Sequence, residues 1–414
     1  MLKSRFNSNH TMAASCFTII NQAIVNNFAP LLFLTFQKEF GVSLELIGLI
    51  ISINFGIQLL IDLVGAKYVD KIGYRTAIVA SNVAAFIGTA GYGIFPFIMD
   101  PYAGILVSVI ISATGGGLAE VLVSPIVEAL PTQNKSGKMA FLHSCYCWGH
   151  CGIVILSTLF FNLAGLESWR FLAFIWSVIP FLNTFFFMLV PIYPIVPEGK
   201  QMSVKQIITN KLFIVFAILM FCSGSAEISM AQWSSLFAES GLGVSKTMGD
   251  LLGPCCFAIT MGIARTFYSV KSERINLRTF LIYSGILSVI SYLITVFARN
   301  PVIGLMGCAL CGLAVGMMWP GVISLSAKHF PRGGTAMFAL IAFSGDCGAS
   351  LGPGLVGFIS EKVQSAGTSI IAPLVSFENV TQLSLKTSLL FAAIFPFIMA
   401  IVLLLVPGEK GTKK

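Results

Sequence analysis

Charge is what this chain has least of. Only 10% of its 414 residues are Asp, Glu, Lys or Arg, against about 25% in an ordinary soluble domain. With 56% hydrophobic residues and a mean hydropathy of +0.88, its solvent must be largely lipid. No polar stretch is long enough for a separate soluble domain. A cleavable signal is also missing: the basic leader, Lys3 and Arg5, runs into an apolar stretch from about Met12 to Phe36, too long for a signal-peptide core. No disulfide framework is legible, because all ten cysteines fall inside apolar runs, where Cys acts as a small hydrophobe. Nor does a nucleophile–base pair or metal motif recur at a membrane face, so the chain is not read as an enzyme and no cofactor is expected.

What the chain has is a succession of apolar runs, each able to span a hydrocarbon layer of roughly 30 Å. They fall near 12–36, 45–66, 75–99, 102–130, 139–163, 170–195, 212–238, 248–269, 279–298, 302–327, 335–360 and 385–406. Short polar turns between long apolar runs can only mean helices. The fold class is therefore an all-α membrane protein with twelve transmembrane helices. An even number puts both termini on one side. That side carries 19 of the Lys and Arg residues, Arg265 counted among them, and the other side 6, Lys386 among them, so the positive-inside rule places the termini in the cytoplasm. These cations are scattered over short loops, which accounts for the net charge of +8 without nucleic acid as a partner. The expected setting is the cell membrane, with the lipid bilayer as neighbour and a monomeric chain.

The sequence is internally duplicated. Gly117-Leu118-Ala119 and Pro125 return as Gly312-Leu313-Ala314 and Pro320, 195 residues later. Gly149-His150-Cys151-Gly152 returns as Gly345-Asp346-Cys347-Gly348, 196 residues later. This predicts two six-helix halves, 1–195 and 212–414, joined by a cytoplasmic linker over 196–211. Parallel halves with a site near the midplane are a transporter plan.

Polar residues inside such spans are costly and mark ion or substrate paths. Glu120 stands about 10 residues from the inner end of its span, roughly 15 Å deep at 1.5 Å per residue. Glu227 and Asp346 lie near the middle of spans 7 and 11. All three are candidates for carrying a proton; the bland alternative is an acid hydrogen-bonded between helices. Amides crowd the first two spans: Asn21, Gln22, Asn26 and Asn27, then Asn54 and Gln58. They suit hydroxyl-rich or amide-rich solutes, or else glue helices together. His143, Cys147 and His150 share a helical face, with Tyr146 beside it. That stripe reads as a cavity lining, with no further ligand nearby in sequence to complete a metal site. Trp233 and Trp319 could stack on a sugar, although core packing is the default. Asp62 and Glu128, near the inner boundary, read as structural.

The loop after span 2, GAKYVDKIGYRT, resembles the major facilitator superfamily. Asp70, Lys71, Gly73 and Arg75 match that family's signature, with Ala66 at its early glycine and Gly65 one place upstream. The resemblance implies that this loop helps hold the two halves in one state. Around span 4 and the outer stretch FQKEFGVS, the chain is similar to the fucose permease branch of sugar–proton symporters. That branch sets Gly-Leu ahead of a carboxylate, then Asn-Pro; here Glu120 is followed by Ser124-Pro125. The resemblance implies that Glu120 couples protons. The branch's second acid, on span 1, is missing here, and Pro30 falls near its place. Glu227 or Asp346 could replace it.

The expectation is a major facilitator carrier moving a small polar solute, such as a sugar or related metabolite, together with a proton by alternating access. Rival readings are a proton-exchange exporter and a non-transporting sensor. Drug–proton exchangers of the superfamily carry an Arg on span 4 and a Gly-Pro motif on span 5. Span 4 here has no Arg and span 5 no Pro, but a similar string, GASLGPGLVG, occurs on span 11.

Overall fold

The computed structural model describes residues 6–42, 44–193, 201–242, 249 and 251–406. Lys3, Arg5, residues 196–200 of the expected linker and the basic tail after 406 lie outside these. Among the described residues every regular element is helical. The first are α1 (Ser8–Leu31), α2 (Phe33–Phe40), α3 (Leu44–Ile72), α4 (Tyr74–Gly91), α5 (Pro101–Glu128), α6 (Lys135–Ala164), α7 (Trp169–Leu189) and the short α8 (Val204–Ile208). There follow α9 (Lys211–Leu242), α10 (Cys256–Lys271), α11 (Leu277–Phe297), α12 (Pro301–Val315), α13 (Met318–His329), α14 (Gly334–Ala366), α15 (Val380–Ala392) and α16 (Ile394–Leu405).

Each expected span coincides with a helix or a broken pair, giving the twelve-span, all-helical architecture. Nine segments among the described residues are long and apolar enough to cross a membrane on length and composition alone. α1, α3 and α10 complete the set; α10 is the shortest of them at 16 residues, and α1 carries the amides Asn21, Gln22, Asn26 and Asn27.

Local chemistry sets the ends. Asp100, Asn134, Asn276, Asn300 and Asn379 cap helix starts by accepting from backbone N–H groups two or three residues on. Pro101 and Pro301 follow directly, where a missing N–H costs nothing. Prolines also explain two breaks that periodicity alone does not show. Pro320 cannot donate to Gly316, and α12 ends at Val315 with α13 starting at Met318. Pro396 cannot donate to Ala392, and the twelfth span divides there into α15 and α16.

The chain forms two compact units, Met1–Val204 with Phe330–Phe343, and Lys205–His329 with Ser344–Lys414. In the first, α4 and α5 touch backbone to backbone: a Cβ at Gly88 would stand 2.3 Å from the Ser112 nitrogen, and one at Gly115 2.6 Å from that of Ala85. Phe28, Phe36, Tyr92 and Trp169 pack an aromatic cluster, which Glu39 ties by accepting from Trp169 Nε1 at 2.7 Å. In the second unit, Gly312 presses on Phe257 of α10, as Gly117 presses on α3 in the first. The duplicated glycines thus make like contacts.

Candidate functional site

In the first unit four helices bring polar groups together. Gln22 on α1 donates from Nε2 to the half-buried carboxylate of Glu120 on α5. One turn along α1, Asn26 Oδ1 accepts from Gln58 Nε2 at 2.9 Å and from Asn54 Nδ2 at 3.3 Å, both on α3. Asn26 Nδ2 in turn donates to the Tyr146 hydroxyl on α6 at 3.5 Å. The i, i+4 spacing of Gln22 with Asn26, and of Asn54 with Gln58, puts each pair on one helix face. Glycine permits the approach: a Cβ at Gly117 would lie 3.0 Å from Ile61 and 3.2 Å from the Gln58 backbone. The result is a set of amide and hydroxyl groups beside one carboxylate, chemistry that recognises hydroxyl-bearing solutes.

The other polar residues of these spans sort differently. Asn21 belongs to a sealed knot, in which Asn82 Oδ1 accepts from Asn21 at 2.8 Å and from Asn183 at 2.9 Å; this glues α1, α4 and α7. Asn27 bonds back to its own helix at Ala23. His143 is buried, with Nε2 3.5 Å from Ser124 Oγ, one turn from Glu120 along α5. Cys147 points its thiol back to the His143 carbonyl at 3.7 Å, and His150 is half-buried. Asp62 is fully buried and Glu128 half-buried.

The second unit holds a charge pair that the sequence reading missed. Glu227 on α9 meets Arg265 on α10, with Oε2 and Nη2 3.3 Å apart. Arg265, counted above with the cytoplasmic loop cations, lies inside α10 and is 3% exposed, so that placement is corrected. Its Nε donates to the Gly316 carbonyl at 2.7 Å. That oxygen is available because Pro320, four residues on, has no N–H to give it. The signal was legible: a proline on span 10 facing an arginine flanked by apolar residues on span 8. Lys386, counted as an outer-loop cation, is likewise buried within α15 and donates to the Ala298 and Ser376 carbonyls, each at 2.8 Å.

Asp346 on α14 is half-buried. Its neighbour Gly345 receives the Trp319 ring, which would stand 2.4 Å from a Cβ there. Trp233 donates to the Pro353 carbonyl at 3.3 Å and flanks Gly357. Both tryptophans belong to the second unit and the Asn26 cluster to the first. The GASLGPGLVG string is a packing seam: a Cβ at Gly348 would stand 2.0 Å from the Phe221 carbonyl oxygen, and one at Gly352 2.7 Å from Ser229 Oγ.

The loop after α3 has defined geometry. Asp70 accepts from Thr335 Oγ1 at 2.5 Å and from the Tyr74 hydroxyl at 3.1 Å, and that hydroxyl also contacts Thr335. Gly73 has φ +89°, a conformation that disfavours other residues. Lys71 is exposed, 5.8 Å from the Tyr68 ring centre. Arg75 donates to the carbonyls of Phe187 at 2.6 Å, Met188 at 2.9 Å and Val190 at 2.9 Å, closing the C-terminal end of α7. Arg278, at the start of α11, does the same for α16 through Leu403 and Leu404, each at 3.1 Å.

Comparison with known proteins adds family and fold. The model of the Major Facilitator Superfamily matches residues 13–353 and 255–414. The chain is 22% identical over 373 residues to the Bacillus subtilis (strain 168) uncharacterized MFS-type transporter YttB, covering 87% of this chain and 90% of that one. Among solved structures, the E. coli fucose:proton symporter FucP (N162A) superposes with a TM-score of 0.77 at 18% identity, over 96% of this chain and 98% of that one. The proton:xylose symporter XylE, bound to 6-bromo-6-deoxy-D-glucose, superposes with a TM-score of 0.79 at 12% identity, over 97% and 96%.

Proposed function

The chain belongs to the Major Facilitator Superfamily, and from that premise we propose that it takes up a small polar solute by alternating access, with a proton carried at Glu120. The observation that carries this reading is the convergence of α3 and α6 on Asn26 of α1, with Glu120 of α5 bonded to Gln22 one helical turn along α1. Amides and a tyrosine hydroxyl both donate and accept, so they suit a solute bearing several hydroxyls. Two structural neighbours are a fucose:proton symporter and a proton:xylose symporter, which agrees with that chemistry. Glu120 keeps partial exposure and a hydrogen-bonded partner, two properties that a carboxylate alternately loaded and unloaded with a proton needs.

The remaining assignments follow from it. Two repeat halves, 1–195 and 212–414, are joined by the segment 196–211. The loop residues Asp70, Lys71, Gly73 and Arg75 act as the gate. Both termini face the cytoplasm across the cell membrane, because the basic residues outside the spans favour that side. Asp346 and Trp319 stand together as second-unit candidates for solute contact.

The test is uptake by the purified protein in liposomes under an imposed inward proton gradient, with labelled fucose and xylose first and a wider panel of polar solutes after. Gradient-stimulated uptake of one solute that Asn26→Ala abolishes is the expected result. A protein that moves no solute of the panel with or without the gradient contradicts the reading.

A further inference from the structure

α1 and α6 pack side by side in the first unit, and their seam keeps one register. A Cβ at Gly149 of α6 would stand 3.3 Å from the Ala23 Cβ and 3.4 Å from the Ile20 backbone of α1. The missing side chain lets the two helices come this close. One turn before Gly149 and Ile20, at the same offset of 129 residues, stand Cys145 and Cys16. Their thiols hydrogen-bond to each other across the seam. Both are free cysteines, Cys16 buried and Cys145 half-buried.

Other thiols meet oxygen partners. Cys308 faces Thr295 Oγ1 at 3.9 Å, Cys311 faces Ser288 Oγ at 3.7 Å and Cys147 faces the His143 carbonyl at 3.7 Å. For Cys16 and Cys145 the partner across the helix seam is sulfur. A disulfide needs Cβ atoms about 3.5–4.5 Å apart. One turn away in this seam, Cβ positions stand closer than that. The surroundings also suit reaction. Lys138, seven residues before Cys145 on the same face of α6, sets its charge near Cys16, and the Ser144 hydroxyl bonds to Cys145. Partly open thiols beside a cation are the ones that react with oxidants.

We propose that Cys16 and Cys145 are an oxidation-sensitive pair, which a hydroperoxide joins into a disulfide that ties α1 to α6. The sulfur of Cys145, the more open of the two, attacks hydrogen peroxide and breaks its O–O bond, giving a sulfenic acid and one water. The sulfur of Cys16 then attacks the sulfenic sulfur and displaces its oxygen as a second water. Both thiol protons end in the two waters, two electrons pass from sulfur to peroxide, and a small-molecule dithiol reverses the bond. The link lies ten residues before Asn26 on α1, about 15 Å along the helix. On α6 it adjoins Tyr146, whose hydroxyl stands 3.5 Å from Asn26. On the transport reading these two side chains meet the solute, and a covalent tie between their helices slows its passage.

Only the effect on uptake rests on the transport reading; the bond itself is read without a solute. The experiment treats the full chain in lipid nanodiscs with hydrogen peroxide, alkylates the remaining thiols, digests without reduction and maps the peptides by mass spectrometry. A Cys16–Cys145 linked peptide is expected, lighter by two hydrogens than its parts and returned to two alkylatable thiols by dithiothreitol. Tm should rise by a few degrees on oxidation and fall back on reduction, because a cross-link restricts the unfolded chain. Cys16→Ser and Cys145→Ser should show neither change. Two thiols that both take up the alkylating label after peroxide, or a sulfinic acid at Cys145 with no link, overturn the proposal, as does an equal rise in Tm in the serine variants. If the serine variants are not monodisperse, the wild-type peptide map decides alone. In liposomes, peroxide should slow uptake severalfold in wild type and leave Cys145→Ser unchanged. A linked chain that takes up solute at the rate of the reduced chain overturns the claim that the bond restrains transport. A chain that links but moves no solute, oxidised or reduced, sinks the transport reading and leaves the disulfide standing.

Discussion

Arg265 donates from Nε to the carbonyl oxygen of Gly316 at 2.7 Å, in the place of the N–H that Pro320 lacks. One side chain thus bridges a helix break and faces a carboxylate. Arg265→Gln strands Glu227 as a buried charge and should cost about 3–5 kcal/mol, whereas Glu227→Gln/Arg265→Gln removes both charges and should cost much less. Thermal unfolding of both variants in detergent checks the order; a double variant less stable than the single one would contradict it.

Arg75 and Arg278 should behave alike. Each closes a helix C-terminus, α7 in one case and α16 in the other, by donating to its last carbonyls. Replacement of either by Ala leaves those oxygens short of donors, at about 1–3 kcal/mol. Lysine restores charge without the fork and should recover only part of it. Unfolding temperatures of Arg75→Ala, Arg75→Lys, Arg278→Ala and Arg278→Lys measure this, and full rescue by lysine would argue that charge alone matters.

On the proposed reading, the amides of α1 divide into glue and solute contact. Asn82→Ala takes the shared acceptor from Asn21 and Asn183 and should destabilise by about 1–3 kcal/mol. Asn26→Ala, in a half-buried position, should leave the unfolding temperature nearly unchanged while solute uptake falls at least about tenfold, the loss of roughly 1.4 kcal/mol of binding. Equal stability losses in the two variants would remove the distinction.

The seam between α9 and α14 gives a paired test in glycines. Gly348→Ala puts a methyl group 2.0 Å from the Phe221 carbonyl oxygen, a backbone atom that cannot swing away, and should cost about 1–3 kcal/mol or prevent folding. Gly354→Ala meets nothing within 4 Å and should be tolerated. Yield of monodisperse protein separates the two.

These residues also show how far the sequence could be read. Span positions followed from hydropathy, because a bilayer demands about 20 apolar residues per helix. The repeat was visible because its glycines must sit where backbones touch, and Gly117 and Gly312 do so. Gln22, Asn26, Asn54 and Gln58 could be picked out as polar groups in oil, and i, i+4 spacing paired them. What spacing could not give was partnership between helices. Asn21 and Asn26 look alike in the sequence, yet one is sealed in a knot and the other faces the cluster. Arg265 was taken for a loop cation because a span edge is poorly defined by hydropathy when a charge lies a turn and a half inside it. Its role depends on Pro320, which is more than 50 residues away in the chain and on another helix.

The central claim, that a proton carried at Glu120 drives the solute, is tested most directly by comparing two modes of transport in one liposome preparation. Accumulation under a proton gradient requires the proton; exchange of labelled for unlabelled solute at equilibrium does not. Glu120→Gln should lose accumulation and keep exchange. Accumulation in Glu120→Gln at the wild-type level would contradict the account.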